Sequence, residues 1–294
     1  MSATTTKIPT PGSPAVGSSP SGGRLYWAIA DMWTMTKRNL IGYTRVPEAV
    51  FFSSVQPIMF VLLFRYVFGG AIPTPGYHYV QFLMPGIFVQ TVAFGSIGTS
   101  IGLAEDLQKG LIERFRALPM SRWAVLAGRT TADLFRNLFV MALMTAVGYA
   151  VGYRIGTNVG EYLAGILLLL LFAYALSWGF AFVGLSAPNS ETAQLMSFPV
   201  LFPLTFASSA FVPLQTMPGW LQGFAKHQPV SVVCNAARDL MSGLPKPDLV
   251  FPPFTSIVSN GPMNSTVFWA IVWSLGILAV LAPVSVRRYR RRAF

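Results

Sequence analysis

Between Glu161 and Glu191 the chain carries no charged side chain, and this stretch contains "LAGILLLLLFAYALSW" (163–178). About 20 apolar residues in a row cross a bilayer core as a helix. Inside lipid every backbone N–H and C=O must be satisfied within the protein, so only helices and closed barrels span membranes. A continuous apolar run, rather than strict alternation, selects the helix. This one stretch therefore commits the chain to an all-α integral membrane fold.

Five further runs fit the same reading. The six spans are expected at 48–69, 79–104, 123–152, 161–187, 190–212 and 264–286. The third is long enough to tilt or project. The fifth contains Pro199 and Pro203; each proline removes a backbone donor, so a kink or break is expected there. The whole chain is 53% hydrophobic and only 11% charged, too little charge to cover a soluble surface of this size.

The net charge of +11 could indicate nucleic acid, but the basic residues stand at the ends of apolar runs, as the positive-inside rule describes. With the N-terminus inside, the cytoplasmic side receives Lys37, Arg38, Arg45, Lys109, Arg114, Arg116, Arg122 and Arg287, Arg288, Arg290, Arg291 and Arg292. The outer side receives Arg65, Arg154, Lys226, Arg238 and Lys246. Both termini are thus expected in the cytoplasm of a cell-membrane protein, without a nucleic-acid partner. Residues 1–23, rich in Ser, Thr, Pro and Gly, read as a disordered cytoplasmic tail, and 287–294 as a basic one.

Two segments outside the spans are helical in pattern. In 24–41, Leu25, Ile29, Met32, Trp33 and Leu40 share one side and Asp31, Thr34, Lys37 and Arg38 the other. That is an amphipathic helix suited to the membrane interface. In 213–263, two short helices separated near Pro229 are expected to be re-entrant or to lie on the outer leaflet, since they are too short to span.

The densest charge lies in "EDLQKGLIERFRALPMSR" (105–122). Read as one helix, it places Leu107, Leu111 and Leu118 on one face and Glu105, Lys109, Glu113 and Arg116 on the other. Glu105 and Lys109 form an i,i+4 pair in the favourable order, and Pro119 ends the helix. A solvated loop is one reading. Interleaved acids and bases also suit a complementary protein surface. Beyond it, Arg129, Asp133 and Arg136 share one helical face. They form either a structural pair between spans or an ion network that transmits motion, because a carboxylate between arginines offsets much of its burial cost.

No G-x-x-x-x-G-K-[ST] phosphate loop or H-E-x-x-H occurs. One cysteine, Cys234, and two separated histidines, His78 and His227, make no metal site and no disulfide. The chain is therefore expected to be no enzyme and to carry no cofactor, with energy supplied by a partner. Polar Gln56, Gln81 and Gln90 and the aromatic Phe198 and Phe202 are candidate path residues near spans one, two and five. Ordinary lipid-facing packing is the alternative for each. An ATP-independent carrier or channel, or an enzyme acting on lipid-linked substrates, are the competing functions.

"VPEAVFFSSVQPIMFVLLFRYVFGG" (46–70) with "YVQFLMPGIFVQTVAF" (79–94), "EDLQKGLIERFRALPMSRWAVLAGRTTADLFRN" (105–137) and "FVPLQTMPGWLQGFAKHQPVSVVCNAARDL" (211–240) together resemble the membrane subunits of ABC-2 type exporters, specifically daunorubicin-resistance-type permeases of actinobacteria. The resemblance implies pairing with a second copy or a sister permease, and with two copies of a separate subunit that binds ATP and Mg. It also implies that 105–119 is the coupling helix docking on that subunit, a role falling on Glu105, Asp106, Lys109, Gly110, Glu113, Arg114, Arg116 and Pro119. The N-terminal interfacial helix is expected to touch the same partner. Family cargo spans anthracycline drugs and complex lipids.

Overall fold

The computed structural model describes residues 24–45, 47–69, 78–111, 114, 122–214, 217–243 and 265–292. Among them no strand occurs. The helices are α1 (Arg24–Arg45), α2 (Pro47–Leu62) continued by a π-helical turn Leu63–Phe68, α3 (Tyr79–Gly95), α4 (Ile97–Gln108) and α5 (Arg122–Ala150). They are followed by α6 (Val159–Ser186), α7 (Ser190–Phe206), α8 (Gly219–His227), α9 (Pro229–Met241) and α10 (Ser265–Arg292). Three helical runs are long and apolar enough to cross a bilayer: Tyr79–Gln108, Val159–Ser186 and Thr266–Arg291. The molecule is an integral membrane protein.

A helix apolar on every side must be enclosed by others. That is the position of α3, whose residues from Tyr79 to Ala93 are buried except for Gln81. Around it pack α2, α5, α6 and α9. The α6 helix begins where Asn158 caps it, its side chain accepting from the Glu161 N–H at 2.8 Å. It then runs between α4, α5, α9 and α10. Close approach to α4 requires glycine: a Cβ on Gly184 would lie 2.3 Å from the Ser100 carbonyl oxygen. On the other flank, Ser285 of α10 donates to the Trp178 carbonyl at 2.7 Å.

Several elements depart from the sequence expectation. The fifth run is one helix through Pro199 and Pro203 and stops at Phe206, so neither proline breaks it. The last helix does not end at 286; it carries Arg287 to Arg292, and Tyr289 is buried against the bundle. Basic residues are good helix formers, so charge alone does not end a helix.

The α1 helix packs along α5, but not by its most apolar face. Ala28, Met35, Thr36 and Asn39 are buried, whereas Ile29 and Trp33 are exposed. Gly128 permits this, since a Cβ there would lie 2.4 Å from Met35 Cβ. The apolar face that the wheel assigns to a membrane surface is left open, while small and polar residues make the helix contact.

Pro229 opens α9 at its first turn, as expected for the residue without an N–H. The α9 helix does not lie on a surface: every residue from Val230 to Arg238 is buried. The calls on 1–23, 244–264 and most of 112–121 lie outside the described residues.

Candidate functional site

The segment 105–122 is not one helix. Its first four residues complete α4, which ends at Gln108. Gly110 then takes a left-handed φ of 63°, the conformation that closes helix C-termini and that glycine adopts without a Cβ penalty. The Gly110 N–H bonds the Leu107 carbonyl at 3.0 Å, and helical backbone resumes at Leu111 and Arg114. Lys109 Nζ lies 3.3 Å from Glu105 Oε2, both largely in the open. Asp106 differs: it is buried and pairs at 2.9 Å with Arg38 of α1. It is therefore turned into the protein rather than offered on a surface ridge. Arg114 is exposed. Glu113, Arg116 and Pro119 lie outside the described residues.

Arg129, Asp133 and Arg136 do come together, on the face of α5 turned towards α1 and α4. Asp133 is fully buried. Arg129 Nε stands 3.9 Å from one of its oxygens and Arg136 Nε 4.0 Å from the other. These are ion-pair distances, too long for hydrogen bonds. The hydrogen bonds to the carboxylate come from elsewhere: the Tyr43 hydroxyl of α1 donates to Oδ1 and the Thr99 hydroxyl of α4 to Oδ2. The Tyr43 ring also lies 6.0 Å from the Arg129 guanidinium carbon and 5.8 Å from that of Arg136, within cation–π range. Burial pushes the Tyr43 phenol up, and the Asp133 carboxylate adds to this, so the phenol stays a donor. One carboxylate thus ties three helices.

The guanidinium groups occupy a track made by glycines. Arg129 donates to the Gly98 carbonyl at 3.3 Å, and Arg136 to the Gly95 carbonyl. A Cβ on Gly102 would stand 1.7 Å from Arg129 Nη2, and one on Gly98 2.9 Å from Arg136 Nη1. Sequence reading missed Tyr43, Thr99 and this track. The signal was present in "GSIGTSIG" (95–102), where glycines three and four apart share a helix face. Two arginines seven apart, two helical turns, sit opposite.

Beside Arg136 opens a pocket of about 110 Å³ lined by Gln56, Phe60, Gln90, Thr91, Phe94 and Asn137, with Arg136 at its wall. Gln56 and Gln90 thus line one pocket. Gln81 does not join them; it sits nine residues earlier on α3, about 13 Å along the axis, where its carbonyl accepts from Ser242. Phe94 contacts Phe198 and Phe202 edge-on, at 6.3 and 6.2 Å between ring centres. From there the rings continue through Phe206 to Phe60 and Phe211. The two predicted phenylalanines therefore belong to an aromatic seam that reaches the pocket.

A further buried arginine has a role that sequence reading missed. Arg238 of α9 donates to the carbonyls of Phe82 (2.9 Å), Ser209 (2.5 Å) and Ala210 (2.9 Å) and to Asn235 Oδ1 (3.0 Å). It stacks 3.6 Å over the Phe82 ring. It satisfies the backbone where α7 has ended, which lets an irregular segment be buried.

Helices long and apolar enough to cross a bilayer, a buried ion hub and a pocket joined to an aromatic seam suit a membrane permease. The chain belongs to the ABC-2 type transporter family, whose model matches residues 30–242; it is a permease subunit, and permeases of this family work with a separate ATP-binding subunit. Similar proteins include the daunorubicin resistance ABC transporter permease protein DrrB1 of Streptomyces coeruleorubidus, 32% identical over 90% of this chain and 88% of that one. The probable doxorubicin resistance ABC transporter permease protein DrrC of Mycobacterium tuberculosis is 26% identical over 93% of this chain and 92% of that protein. The inner membrane transport permease YadH of Escherichia coli K12 is 25% identical over 85% and 95%.

Proposed function

We propose that this chain forms half the membrane path of an ATP-driven exporter for amphipathic cargo, drug-like or lipid. It would sit in the cell membrane with both termini in the cytoplasm and six spans: α2 with its π-helical turn, α3 with α4, α5, α6, α7 and α10. A second copy or a sister permease would complete the path, and two copies of the ATP-binding subunit would carry ATP and Mg. This chain's own residues would hold neither. Segment 105–119 would dock on that subunit through Glu105, Lys109, Gly110, Glu113, Arg114, Arg116 and Pro119. Asp106 would act behind this surface, through Arg38.

The observation that carries this reading is the double tie behind the docking segment. Asp106, four residues after the track glycine Gly102, holds α1 through Arg38, and Asp133 holds α1 and α4 together through Tyr43 and Thr99. A push on 105–119 would therefore move α1, α4 and α5 as one body, and Arg136 would carry that movement to the pocket wall. Amphipathic cargo is supported by the pocket with its seam, and drug-like cargo by the anthracycline names of two relatives.

The test is co-purification with the neighbouring ATP-binding subunit and reconstitution in liposomes, with doxorubicin efflux and ATP hydrolysis as readouts. Arg38→Glu and Asp106→Arg should each lower doxorubicin-stimulated hydrolysis several-fold, and the double exchange should restore it. Absence of any bound ATP-binding subunit, or single variants that hydrolyse like the parent, would refute the coupling.

A further inference from the structure

The pocket beside Arg136 is partly open, has polar and apolar walls, and holds polar groups short of partners. Gln90 is 3% exposed, yet neither its amide nitrogen nor its amide oxygen has a hydrogen-bond partner. Asn137 is 2% exposed and its amide nitrogen is equally unpaired, as is Arg136 Nε. Buried amides are ordinarily satisfied, so unpaired ones aimed into a cavity point to an absent occupant. Thr91 spends its proton on the Ile87 carbonyl at 2.7 Å and leaves its oxygen's other lone pairs free.

The inventory is weighted towards donors. Gln56, Gln90 and Asn137 bring N–H groups and Arg136 a guanidinium, against the amide oxygens of Gln56 and Gln90 and the Thr91 hydroxyl oxygen. An oxygen-bearing group fits this set. An ammonium would meet the guanidinium, whose charge Asp133 balances only from 4.0 Å. At about 110 Å³ the space admits a sugar-sized or phosphate-sized group. Phe60 and Phe94 form its apolar side and lead into the seam with Phe198, Phe202 and Phe206.

Deepening the exporter reading, and resting on it for the word cargo, we infer that this pocket is the anchor for the polar end of an amphiphile. The group it accepts is an uncharged or anionic oxygen-bearing one, hydroxyl, carbonyl or phosphate, while the flat or acyl body lies along the phenylalanine seam. For a cargo that bears both oxygens and an amine, the oxygens enter and the amine stays outside.

Binding is read without ATP, so the result stands whether or not the coupling reading does. The full chain in phosphatidylcholine nanodiscs is titrated with three pyrenylbutyl probes ending in a glucosyl, a phosphate or a trimethylammonium group, by tryptophan-to-pyrene energy transfer. The glucosyl and phosphate probes should bind at least ten-fold tighter than the ammonium probe; whichever of the two binds tighter identifies a sugar-like or a phosphate-like end. Gln90→Leu and Asn137→Leu should each remove most of that advantage and leave the ammonium probe unchanged. Gln90→Leu should also unfold at the parent's temperature or above, since it deletes an unpaired buried amide. Gln90→Glu, which adds a buried acceptor, should turn the preference towards ammonium. Equal binding of all three probes, or Leu variants that bind like the parent, would make this a hydration pocket and overturn the inference. So would an ammonium probe that binds tightest in the parent chain.

Discussion

Two buried charges of the molecule, Arg238 and Asp133, are handled in opposite ways. At Arg238 all three guanidinium nitrogens donate to named oxygens, three of them backbone carbonyls, and the cation lies flat on Phe82. At Asp133 the arginines are held at ion-pair distance, each donates to one glycine carbonyl, and each leaves Nε without a hydrogen bond. The first arrangement is complete and pins chain that has left its helix. The second is incomplete, is shared by three helices, and borders a pocket with unpaired amides of its own. A complete network rigidifies the chain it holds, whereas in an incomplete one the unpaired buried groups carry a cost. The difference separates a clamp from a joint.

The largest effect belongs to the clamp. Arg238→Met strands the carbonyls of Ser209 and Ala210 without this donor, at about 1–3 kcal/mol for each stranded group. The purified variant should unfold at a markedly lower temperature or fail to accumulate, whichever ligand or partner is added. A variant with parental unfolding would erase the distinction between the two sites.

Next is the joint. Asp133→Asn removes the negative charge from between two buried arginines, a change worth about 3–5 kcal/mol when a buried pair is broken. Because the defect is excess positive charge, adding Arg136→Gln should recover part of the loss in unfolding temperature. No second neutralisation is expected to rescue Arg238→Met. Losses that simply add in the double variant would show that Asp133 acts as an ordinary hydrogen-bond acceptor.

The smallest of the three probes the track. Gly102→Ala places a methyl where the Arg129 guanidinium lies. The flexible end of that side chain can move, so the cost should stay near 1–3 kcal/mol, the usual range for overpacking. Transport should fall more than stability does, because Arg129 would have to leave Gly98. Equal proportional losses would mean that the track only serves packing.

What could be read from sequence follows from how local each signal is. The run 163–178 and the break at Pro229 depend on neighbours within a turn or two, and the structure has a helix or a boundary at each. The 129–133–136 grouping needs only helical spacing within one helix. Tyr43 is 90 residues from Asp133, and Arg238 is 156 from Phe82; no periodicity links such pairs. The end of α4 was a local signal read wrongly: Pro119 drew the boundary although Lys109–Gly110 already carried the glycine that ends helices. The face by which α1 contacts α5 went unread for a different reason. Apolarity identifies what avoids water, and in a bilayer that is lipid as readily as another helix.

Tyr43→Phe gives the most direct test that Asp133 links the ATP-driven subunit to the path. It removes the hydrogen bond from α1 to the carboxylate and keeps the ring between the two arginines. In liposomes holding the permease and its ATP-binding subunit, doxorubicin efflux per ATP hydrolysed is compared with the parent. Assembly and basal hydrolysis should persist, while efflux per ATP should fall several-fold. An unchanged ratio would contradict the account and leave Asp133 a purely structural tie.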